Sequence, residues 1–590
     1  MKDFFKYFSA SLLAIIISVG FFVLLTVGII AAFASSADKP IKISKDSVLE
    51  IDFDFEMGDR SYTDFNPNTF NIDQVVGLDK FRVLIEKAKD DKKIKGILLN
   101  VSYVPFNQAV MKEARQILDN FKESGKFIIA YSESMNQAAY YVSSVADEVY
   151  LYPEANIEFL GLSTEPIFFK HALEKLKIDM QVVRGSNNKF KSAVEPFIAD
   201  KMSPENREQI ERFIGGMWSD MLSDISKSRN ISVEKLNQIA DSLWAVTPKG
   251  AVEYKLVDGV LYQDELEAKL KEKLELKEKE KINFITLKKY SKANRHSTKV
   301  SYSDGNIAVV YATGEIISGE GNDATIGSET TAKAIREARE NEKVKVIVLR
   351  VNSPGGSALA SDVIWREIEI TKKVKPVVVS MGDLAASGGY YISCNADRIF
   401  AQPNTLTGSI GVFGMIPNMQ GMFNEHLGIT FDVAKTNHHS MITPFKPLTK
   451  DEINFIQKEV DRIYESFITK VAEGRKKTTA YVDSIGQGRV WCGTDALKLG
   501  LVDELGSLED AVKYAANMVE VKEDDIKIIA YPTKDDDTLE EILMALEDLE
   551  GETETRSTLS KLFIEKANQL NKVVSNDRIQ ARMLFDVEIK

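Results

Sequence analysis

The sequence predicts an α/β protein in which two copies of one domain follow a single membrane-spanning helix. Three observations predict this fold class: an internal repeat, short β-branched runs that alternate with helix-length segments, and one long uncharged run near the start. The chain has 590 residues, which is too long for one hydrophobic core. Its composition, 44% hydrophobic and 28% charged, is typical of a globular protein.

The uncharged run extends from Tyr7 to Ala37. Within it, Leu12–Ala32 is almost continuously apolar and reaches the ~20 residues that a helix needs to cross a bilayer. A cleaved signal peptide is the alternative, because Ala34 and Ala37 are small residues of the kind found at cleavage sites. The apolar run is longer than the core of a typical signal peptide, so we predict a retained anchor.

The orientation of this anchor is predicted from the charges around it. Lys2 and Lys6 precede the run and favour a cytoplasmic amino terminus. The rest of the chain is then expected on the other side of the membrane, outside the cytoplasm.

Two halves of the chain align at an offset of 250 residues. Ile94–Val101 aligns with Val344–Val351, and Ala139–Asp147 aligns with Gly389–Asp397. Because nearly the same register holds over many positions, the sequence indicates a tandem duplication.

Each copy is predicted to be α/β. In the second copy, Val344–Val351 is a short apolar run typical of a buried parallel strand. Ala358–Lys373 has the length of a helix, and Pro376–Ser380 is the next predicted strand. A strand–helix–strand order implies a parallel pair with a crossover helix.

We predict five segments along the chain. They are a cytoplasmic stub and anchor at 1–45, an amino-terminal repeat at 46–262, a charged linker at 263–303, a carboxyl-terminal repeat at 304–545 and a tail at 546–590. The linker assignment rests on Asp264–Lys281, which is rich in Glu, Lys and Leu at helical spacing. Within the tail, Met583–Ile589 is predicted to form a closing strand.

Charge and composition exclude several classes of function. The net charge of −13 argues against nucleic acid as a partner. The two cysteines, Cys394 and Cys492, are too few for a disulfide framework. With five histidines, no HExxH or CxxC spacing and no phosphate-binding glycine motif, we expect neither a metal site nor a cofactor.

The two copies differ at positions that bear on chemistry. After its strand the second copy has the glycine turn Ser353–Ser357, where the first copy has Tyr103–Asn107. Ser387 aligns with Gln137, whereas the lysine-rich turn Lys189–Phe197 belongs to the first copy. This asymmetry is what a duplicated enzyme with a composite active site would show.

Ser387 is a candidate nucleophile. It follows a predicted strand and a loop, and it precedes a helical stretch, where free backbone N–H groups favour developing negative charge. A helix N-cap is the alternative interpretation.

A serine nucleophile needs a base, which can be a histidine such as His438 or His439, or a buried lysine with a lowered pKa. Composition alone does not single out one lysine.

Three segments identify a family. Leu384–Tyr391, Leu406–Val412 and Lys189–Phe197 resemble the signature segments of the signal peptide peptidase A family in its long, duplicated form. The resemblance extends from the anchor to about residue 545, with both repeats in family order. It implies two domains of the ClpP/crotonase type and the activity of a serine endopeptidase.

The resemblance also implies residue roles. Ser387 would attack the scissile carbonyl, Lys191 would take its proton, and Ser409 would orient Lys191. Gly388 would form the oxyanion hole together with Gly355 or Gly356. The sequence leaves open whether Ser387 and Lys191 of the site come from one chain, and His439 remains the alternative base.

The family implies partners and a location as well. The expected substrates are signal peptide remnants and other unfolded apolar peptides. The expected location is the bacterial inner membrane, with the catalytic domains in the periplasm, and the expected assembly is a homo-oligomer, a tetramer by resemblance. An inactive membrane-tethered scaffold and a crotonase-like acyl-CoA enzyme are the alternatives.

Overall fold

The structure is a computed structural model that describes most of the chain. The described residues are 42–533 apart from 54, 67–70, 106 and 294–304, together with 579–582 and a few positions before residue 22. Most of the predicted anchor at 12–32, and the predicted closing strand at 583–589, therefore lie outside the described residues. Within the described part, no helix combines the length and the apolar character that a membrane span requires.

The first half of the chain alternates strands and helices. Its strands are β1 (Ser47–Ile51), β2 (Tyr62–Asn66), β3 (Asn71–Val75), β4 (Ile94–Asn100), β5 (Phe127–Ser132), β6 (Glu148–Leu151), β7 (Asp179–Arg184), β8 (Gly259–Val260) and β9 (Asn283–Thr286). Its helices are α1 (Leu78–Asp90), α2 (Gln108–Lys122), α3 (Gln137–Ser143), α4 (Lys170–Lys175), α5 (Glu195–Ile198), α6 (Pro204–Arg229), α7 (Val233–Asp241), α8 (Pro248–Glu253), α9 (Gln263–Lys273) and α10 (Leu287–Ala293).

The second half follows the same alternation. Its strands are β10 (Ile307–Thr313), β11 (Glu315–Ile317), β12 (Thr325–Gly327), β13 (Val346–Ser353), β14 (Gly355–Ser357), β15 (Val377–Ala386), β16 (Arg398–Ala401), β17 (Leu406–Gly408), β18 (Phe413–Asn418), β19 (Val490–Cys492), β20 (Glu504–Leu505), β21 (Ile528–Tyr531) and β22 (Ile579–Arg582). Its helices are α11 (Ser328–Glu340), α12 (Ala358–Thr371), α13 (Gly388–Ser393), α14 (Lys450–Arg475), α15 (Thr479–Ile485), α16 (Gly493–Lys498) and α17 (Leu508–Met518).

The central sheets of the two halves have the same strand order. The first is parallel throughout, in the order β8-β6-β5-β4-β1-β9. In the second, parallel pairing joins β20, β16, β15, β13, β10 and β21 in the corresponding order. Strands β13 and β15 are buried almost throughout, as expected for parallel strands covered on both faces. The predicted α/β class and tandem duplication are therefore confirmed.

The strand that precedes Ser387 is longer than the sequence predicts. The prediction ends it at Ser380, but β15 continues to Ala386. The strand changes neighbours on the way: its first part pairs with β16, and Leu384–Ala386 pairs with β17. A change of partner leaves no mark on hydrophobic periodicity, so the prediction of a loop before Ser387 is wrong.

The segment predicted as a charged linker contains regular structure that packs on the first domain. Helix α9 buries Leu266 and Leu270, and β9 forms the edge of the first sheet by pairing with β1. Most residues of α9 are charged because most of the helix is exposed, so the sequence pattern does not reveal its two buried leucines. The five domain boundaries themselves stay a prediction.

A third sheet joins the two halves. Its order is β12-β11-β14-β22-β18-β7, so β7 of the first half lies beside β18 of the second. The two strands are antiparallel and in register from Asp179 opposite Asn418 to Arg184 opposite Phe413. This pairing fixes the position of the loop after β7, which carries Lys191, relative to the second half.

A buried ion cluster also crosses the boundary between the halves. Arg350 on β13 has no exposed surface and donates hydrogen bonds to Asp59, at 2.7 and 2.9 Å, and to Glu113, at 2.7 Å. Both carboxylates belong to the first half. Nearby, Asp383 on β15 accepts a hydrogen bond of 2.6 Å from the backbone N–H of Ala109. The second half therefore depends on the first to neutralise a charge in its central sheet.

We predict that Arg350→Ala lowers the free energy of unfolding by about 3–5 kcal/mol, because it removes the guanidinium that the buried carboxylates of Asp59 and Glu113 share. The measurement is urea-induced unfolding of the purified protein. Arg398→Ala is the matched control: its ion pair with Glu504 is partly exposed, so its loss should cost less than about 1 kcal/mol. Equal effects of the two substitutions would contradict a central role for the buried cluster.

Candidate active site

Ser387 occupies a strained turn between β15 and α13. Its backbone has φ 54° and ψ −112°, a conformation that costs a non-glycine residue about 1–3 kcal/mol. The Ser387 N–H donates to the carbonyl of Gly408 at 2.8 Å, and this bond holds the turn against the end of β17. A sharp strand-to-helix turn of this kind places a serine at the carboxyl end of a parallel sheet, where ligands bind in open α/β sheets.

Lys191 reaches the same point from the first half. It follows β7 through a loop whose Phe190 N–H donates to the carbonyl of Gln487 at 2.9 Å. The lysine is 1% exposed. Gly488 permits this approach: its φ is +81°, and a Cβ atom there would lie 2.5 Å from the Cβ of Lys191. Only glycine fits at that position.

The side chains of Lys191, Ser387 and Ser409 meet in one buried cluster. The Lys191 Nζ lies 2.9 Å from Ser387 Oγ, 3.0 Å from Ser409 Oγ and 3.1 Å from the Ser409 carbonyl oxygen. A neutral amine has two N–H groups and one lone pair. It can therefore donate to both oxygens of Ser409 and accept the hydroxyl proton of Ser387. Both residues of the predicted pair lie within one chain.

Burial changes the protonation of this lysine. Desolvation lowers the pKa of Lys191 from 10.5 to about 7. A charged ammonium is costly without water around it, whereas the neutral amine is not. Near neutral pH a substantial share of the lysine is therefore unprotonated, which is the state that a general base requires.

The histidines weighed as alternative bases lie elsewhere. His438 and His439 are exposed and contact each other with ring centroids 4.5 Å apart, whereas Ser387 is fully buried. Together with Asp451 they are the one group in the described part of the chain whose side chains are close enough to hold a metal ion. Asp451 is also exposed. The cluster around Ser387 contains no ligand set of this kind among the described residues.

The glycine turn lies against the Ser387 turn. A Cβ atom at Gly389 would lie 2.8 Å from the Ser353 carbonyl oxygen, so the two turns are in contact. Gly388 opens α13, where its N–H has no acceptor within the helix. The Gly355 N–H donates to Ser353 Oγ at 3.1 Å, and Gly356 lies opposite Ile316 of β11. The predicted oxyanion glycines are thus adjacent, and their role stays a prediction.

The corresponding position in the first half is filled by Gln137. Its side chain donates to the carbonyl of Gly161 at 3.0 Å and accepts from the N–H groups of Leu160 and Gly161 at 2.9 Å. Gly161 aligns with Gly411, whose carbonyl oxygen lies 3.4 Å from Ser387 Oγ. In the first copy, Gln137 therefore holds the loop at Leu160 and Gly161 in place. In the second copy, the corresponding loop at Gly411 lies beside Ser387.

Sequence reasoning missed Gln209. This residue of α6 is 2% exposed, and its Nε2 donates to the Phe190 carbonyl at 3.2 Å and to Ser192 Oγ at 3.0 Å. Its Oε1 accepts from the Val490 N–H of β19 at 3.2 Å. Gln209 therefore contacts the residues on both sides of Lys191 and ties them to the second half. No local motif marks it, because all these partners are distant in sequence or belong to the backbone.

Two further buried polar residues support the lysine loop. Asn188 donates to the Val412 carbonyl at 2.6 Å. Glu195 accepts hydrogen bonds from Asn206 at 2.9 Å and from Ser203 at 2.5 Å. Lys191, Gln209 and Ser409 are among the residues that line a small cavity of about 10 Å³. This volume is close to that of one water-sized sphere.

Two α/β repeats that bring a serine against a buried lysine have the residue types of one class of serine protease, in which lysine takes the place of histidine. The sequence model of peptidase family S49 matches residues 120–277 and 369–522, one match in each half. This chain belongs to peptidase family S49.

Relatives along most of the chain agree with this assignment. The chain is 40% identical over 458 residues to Protease 4 of Salmonella typhi, covering 74% of this chain and 71% of that protein. It is 35% identical over 523 residues to Protease 4 of Haemophilus influenzae, covering 85% and 84%. It is 31% identical over 484 residues to the chloroplastic serine protease SPPA of Arabidopsis thaliana, covering 80% and 69%. The predicted family is confirmed, and the ClpP/crotonase type of the domains stays a prediction.

We predict that Gln209→Ala lowers kcat for peptide cleavage by about 10- to 100-fold and leaves KM nearly unchanged, because the lysine loop loses its fixed position. Steady-state kinetics on a fluorogenic peptide would measure both constants. Gln238→Ala, an exposed glutamine on α7, serves as the control. A rise in KM at constant kcat would indicate that Gln209 supports substrate binding instead.

Proposed function

We propose that this chain is a membrane-anchored serine endopeptidase that degrades cleaved signal peptides and other unfolded apolar peptides through a Ser387–Lys191 dyad. The contact of 2.9 Å between the buried Lys191 amine and the Ser387 hydroxyl carries the proposal. It is supported by the lowered pKa of Lys191, because a serine hydroxyl needs a neutral base beside it.

In the first step, Ser387 Oγ attacks the carbonyl carbon of the scissile bond. Lys191 accepts the hydroxyl proton through its lone pair while its two N–H groups remain on Ser409. Backbone N–H groups of Gly388 and of Gly355 or Gly356 stabilise the oxyanion that forms. The protonated Lys191 then gives its proton to the leaving amine, and an acyl-enzyme ester on Ser387 remains.

In the second step, a water molecule hydrolyses the ester. Lys191 takes one proton from this water, whose oxygen bonds to the acyl carbon, and the Ser387–acyl bond breaks. Ser387 Oγ regains a proton from Lys191, which restores the starting state. Ser409 holds the lysine in place through both steps as a positioning residue.

Substrate, location and assembly extend this proposal. An apolar segment at 12–32 would hold the catalytic halves beside the membrane in which signal peptide remnants are left. We place the enzyme in the bacterial inner membrane with its catalytic halves in the periplasm. By the family resemblance, the working form is a homo-oligomer, and a tetramer is the expected size.

We predict that Ser387→Ala and Lys191→Ala each lower kcat/KM for an unfolded apolar peptide by at least about 10³-fold, because each removes one member of the dyad. Lys189→Ala is the matched control, since this lysine lies two residues away and is exposed. Circular dichroism checks that all variants are folded. Substantial activity in Lys191→Ala alone would exclude the dyad and require another base.

We predict that kcat/KM rises with pH through about 7 and levels off above it. The folded pKa of Lys191 is about 7, so the amine is charged and inactive below this value and neutral above it. A pH–rate profile from about pH 5 to about pH 9 measures the midpoint. A profile that stays flat across pH 7 would be incompatible with Lys191 as the base.

A further inference from the structure

Three side chains with metal-binding atoms come together at the surface of the second half. His438 and His439 lie in the segment between β18 and α14, and Asp451 is the second residue of α14. One ring nitrogen of each histidine and one carboxylate oxygen of Asp451 all lie within 4.8 Å of one another. The sequence spacing does not reveal this group, because Asp451 belongs to a different element from the histidines.

The ligand atoms of these three side chains form no hydrogen bond or ion pair with any described residue. The Lys435 ammonium donates to the backbone carbonyl of His438 at 2.9 Å, and this bond does not involve the ring. In the first turn of α14, the Glu452 carboxylate accepts from the Thr449 N–H at 2.8 Å. The acid that caps the helix is therefore Glu452, and the Asp451 carboxylate remains available to a ligand.

The three donors have the chemistry of a zinc site. Two imidazole nitrogens and one carboxylate oxygen form a ligand set that Zn²⁺ uses in proteins, often with water at the fourth position. Zinc–ligand bonds of about 2.0–2.2 Å place the donors of a tetrahedron roughly 3.4 Å apart. All three side chains are exposed and can rotate to close the distance from 4.8 Å. Mg²⁺ and Ca²⁺ prefer oxygen ligands, so the two nitrogens favour zinc.

The histidines occupy the turn that carries the lysine in the first half. Counted back from the shared Pro-Phe pairs at 196–197 and 444–445, His439 falls on Lys191. Lys191 is 1% exposed and contacts Ser387, whereas His439 is exposed. The second copy of the turn therefore takes no part in the candidate active site of this chain, and an ion in solution can reach its side chains.

We propose that His438, His439 and Asp451 form a zinc site, with a water molecule as the fourth ligand. The ion would join the exposed turn to the start of α14. This site is distinct from the buried cluster around Ser387, and the proposal does not depend on peptidase activity.

Helix α14 links the proposed zinc site to the lysine loop. The Leu448 N–H, just before the helix, donates to the Gln181 side chain of β7 at 2.7 Å. Further along the helix, Asp461 accepts from the Ser186 N–H at 2.8 Å. Because α14 holds segments of both halves together, an ion that fixes its start should raise the unfolding temperature of the protein.

The test titrates Zn²⁺ alone into the full-length protein, prepared without a polyhistidine tag and stripped of metal with a chelator. Isothermal titration calorimetry gives the affinity and the stoichiometry, and thermal unfolding is recorded with and without zinc. The variants are His439→Ala and Asp451→Asn. His171→Ala is the matched control, because this exposed histidine lies outside the group. Equal unfolding temperatures without zinc check that all four proteins are folded alike.

We expect the unmodified protein and His171→Ala to bind one Zn²⁺ per chain with equal affinity, and Mg²⁺ not to compete. His439→Ala and Asp451→Asn should each weaken binding by at least about 10-fold, since each removes a ligand. Saturating zinc should raise the unfolding temperature of the unmodified protein by about 2–5 °C and leave these two variants nearly unchanged.

Three results would overturn the inference. The first is an unmodified protein that binds no stoichiometric zinc. The second is binding by His439→Ala and Asp451→Asn that equals binding by the unmodified protein. The third is a loss of affinity in His171→Ala as large as the loss in His439→Ala, because the ion would then bind through histidines outside the group.

Discussion

The antiparallel pairing of β7 with β18 is the constraint on which the candidate site depends. The lysine comes from one repeat and the serine from the other, so their contact exists only while the two repeats stay in register. A slip of one residue along β18 would move the lysine loop by about 3.3 Å and turn alternate side chains to the opposite face. A displacement of this size would separate the Lys191 amine from the Ser387 hydroxyl, which are now 2.9 Å apart. Two further residues fix the position of the lysine loop. Gly488 has no side chain and so leaves space for Lys191, and Gln209 forms hydrogen bonds with both neighbours of Lys191.

The protonation of Lys191 depends on which groups surround its amine. Its lowered pKa has one cause, desolvation, and no carboxylate offsets it. Glu195 is only four residues away, yet its carboxylate is occupied by Ser203 and Asn206 at the start of α6. A carboxylate beside Nζ would hold the lysine charged, and a charged amine cannot take the serine proton. The fold therefore uses the carboxylate of Glu195 for structure and keeps it away from the Lys191 amine.

Much of this architecture could be predicted from the sequence, because its signals are local or repeated. The offset of 250 residues predicts the duplication, and the β-branched runs predict the central strands of both sheets. Ser387 and Lys191 were identified by the segments around them, and the structure brings their side chains into contact.

Features that depend on distant partners could not be predicted. Strand β15 continues past Ser380 because it acquires a new neighbour, and Gln209 acts through residues from both halves. A strand at Ile579–Arg582 also lies beside β14, and alternation alone does not say which residues find such a partner.

The buried cluster around Arg350 has a consequence for the history of the molecule. A newly duplicated domain starts as a self-sufficient unit, and each copy can in principle be lost without harm to the other. A guanidinium at the centre of one sheet, whose direct ion pairs are with carboxylates of the neighbouring copy, removes that freedom. The contact between Lys191 and Ser387 joins the two copies at the candidate site, and Arg350 joins them in the core. A fragment with one copy would lack either the serine or the lysine of the candidate site, and the second copy alone would bury Arg350 without Asp59 and Glu113. Selection therefore acts on the two copies together.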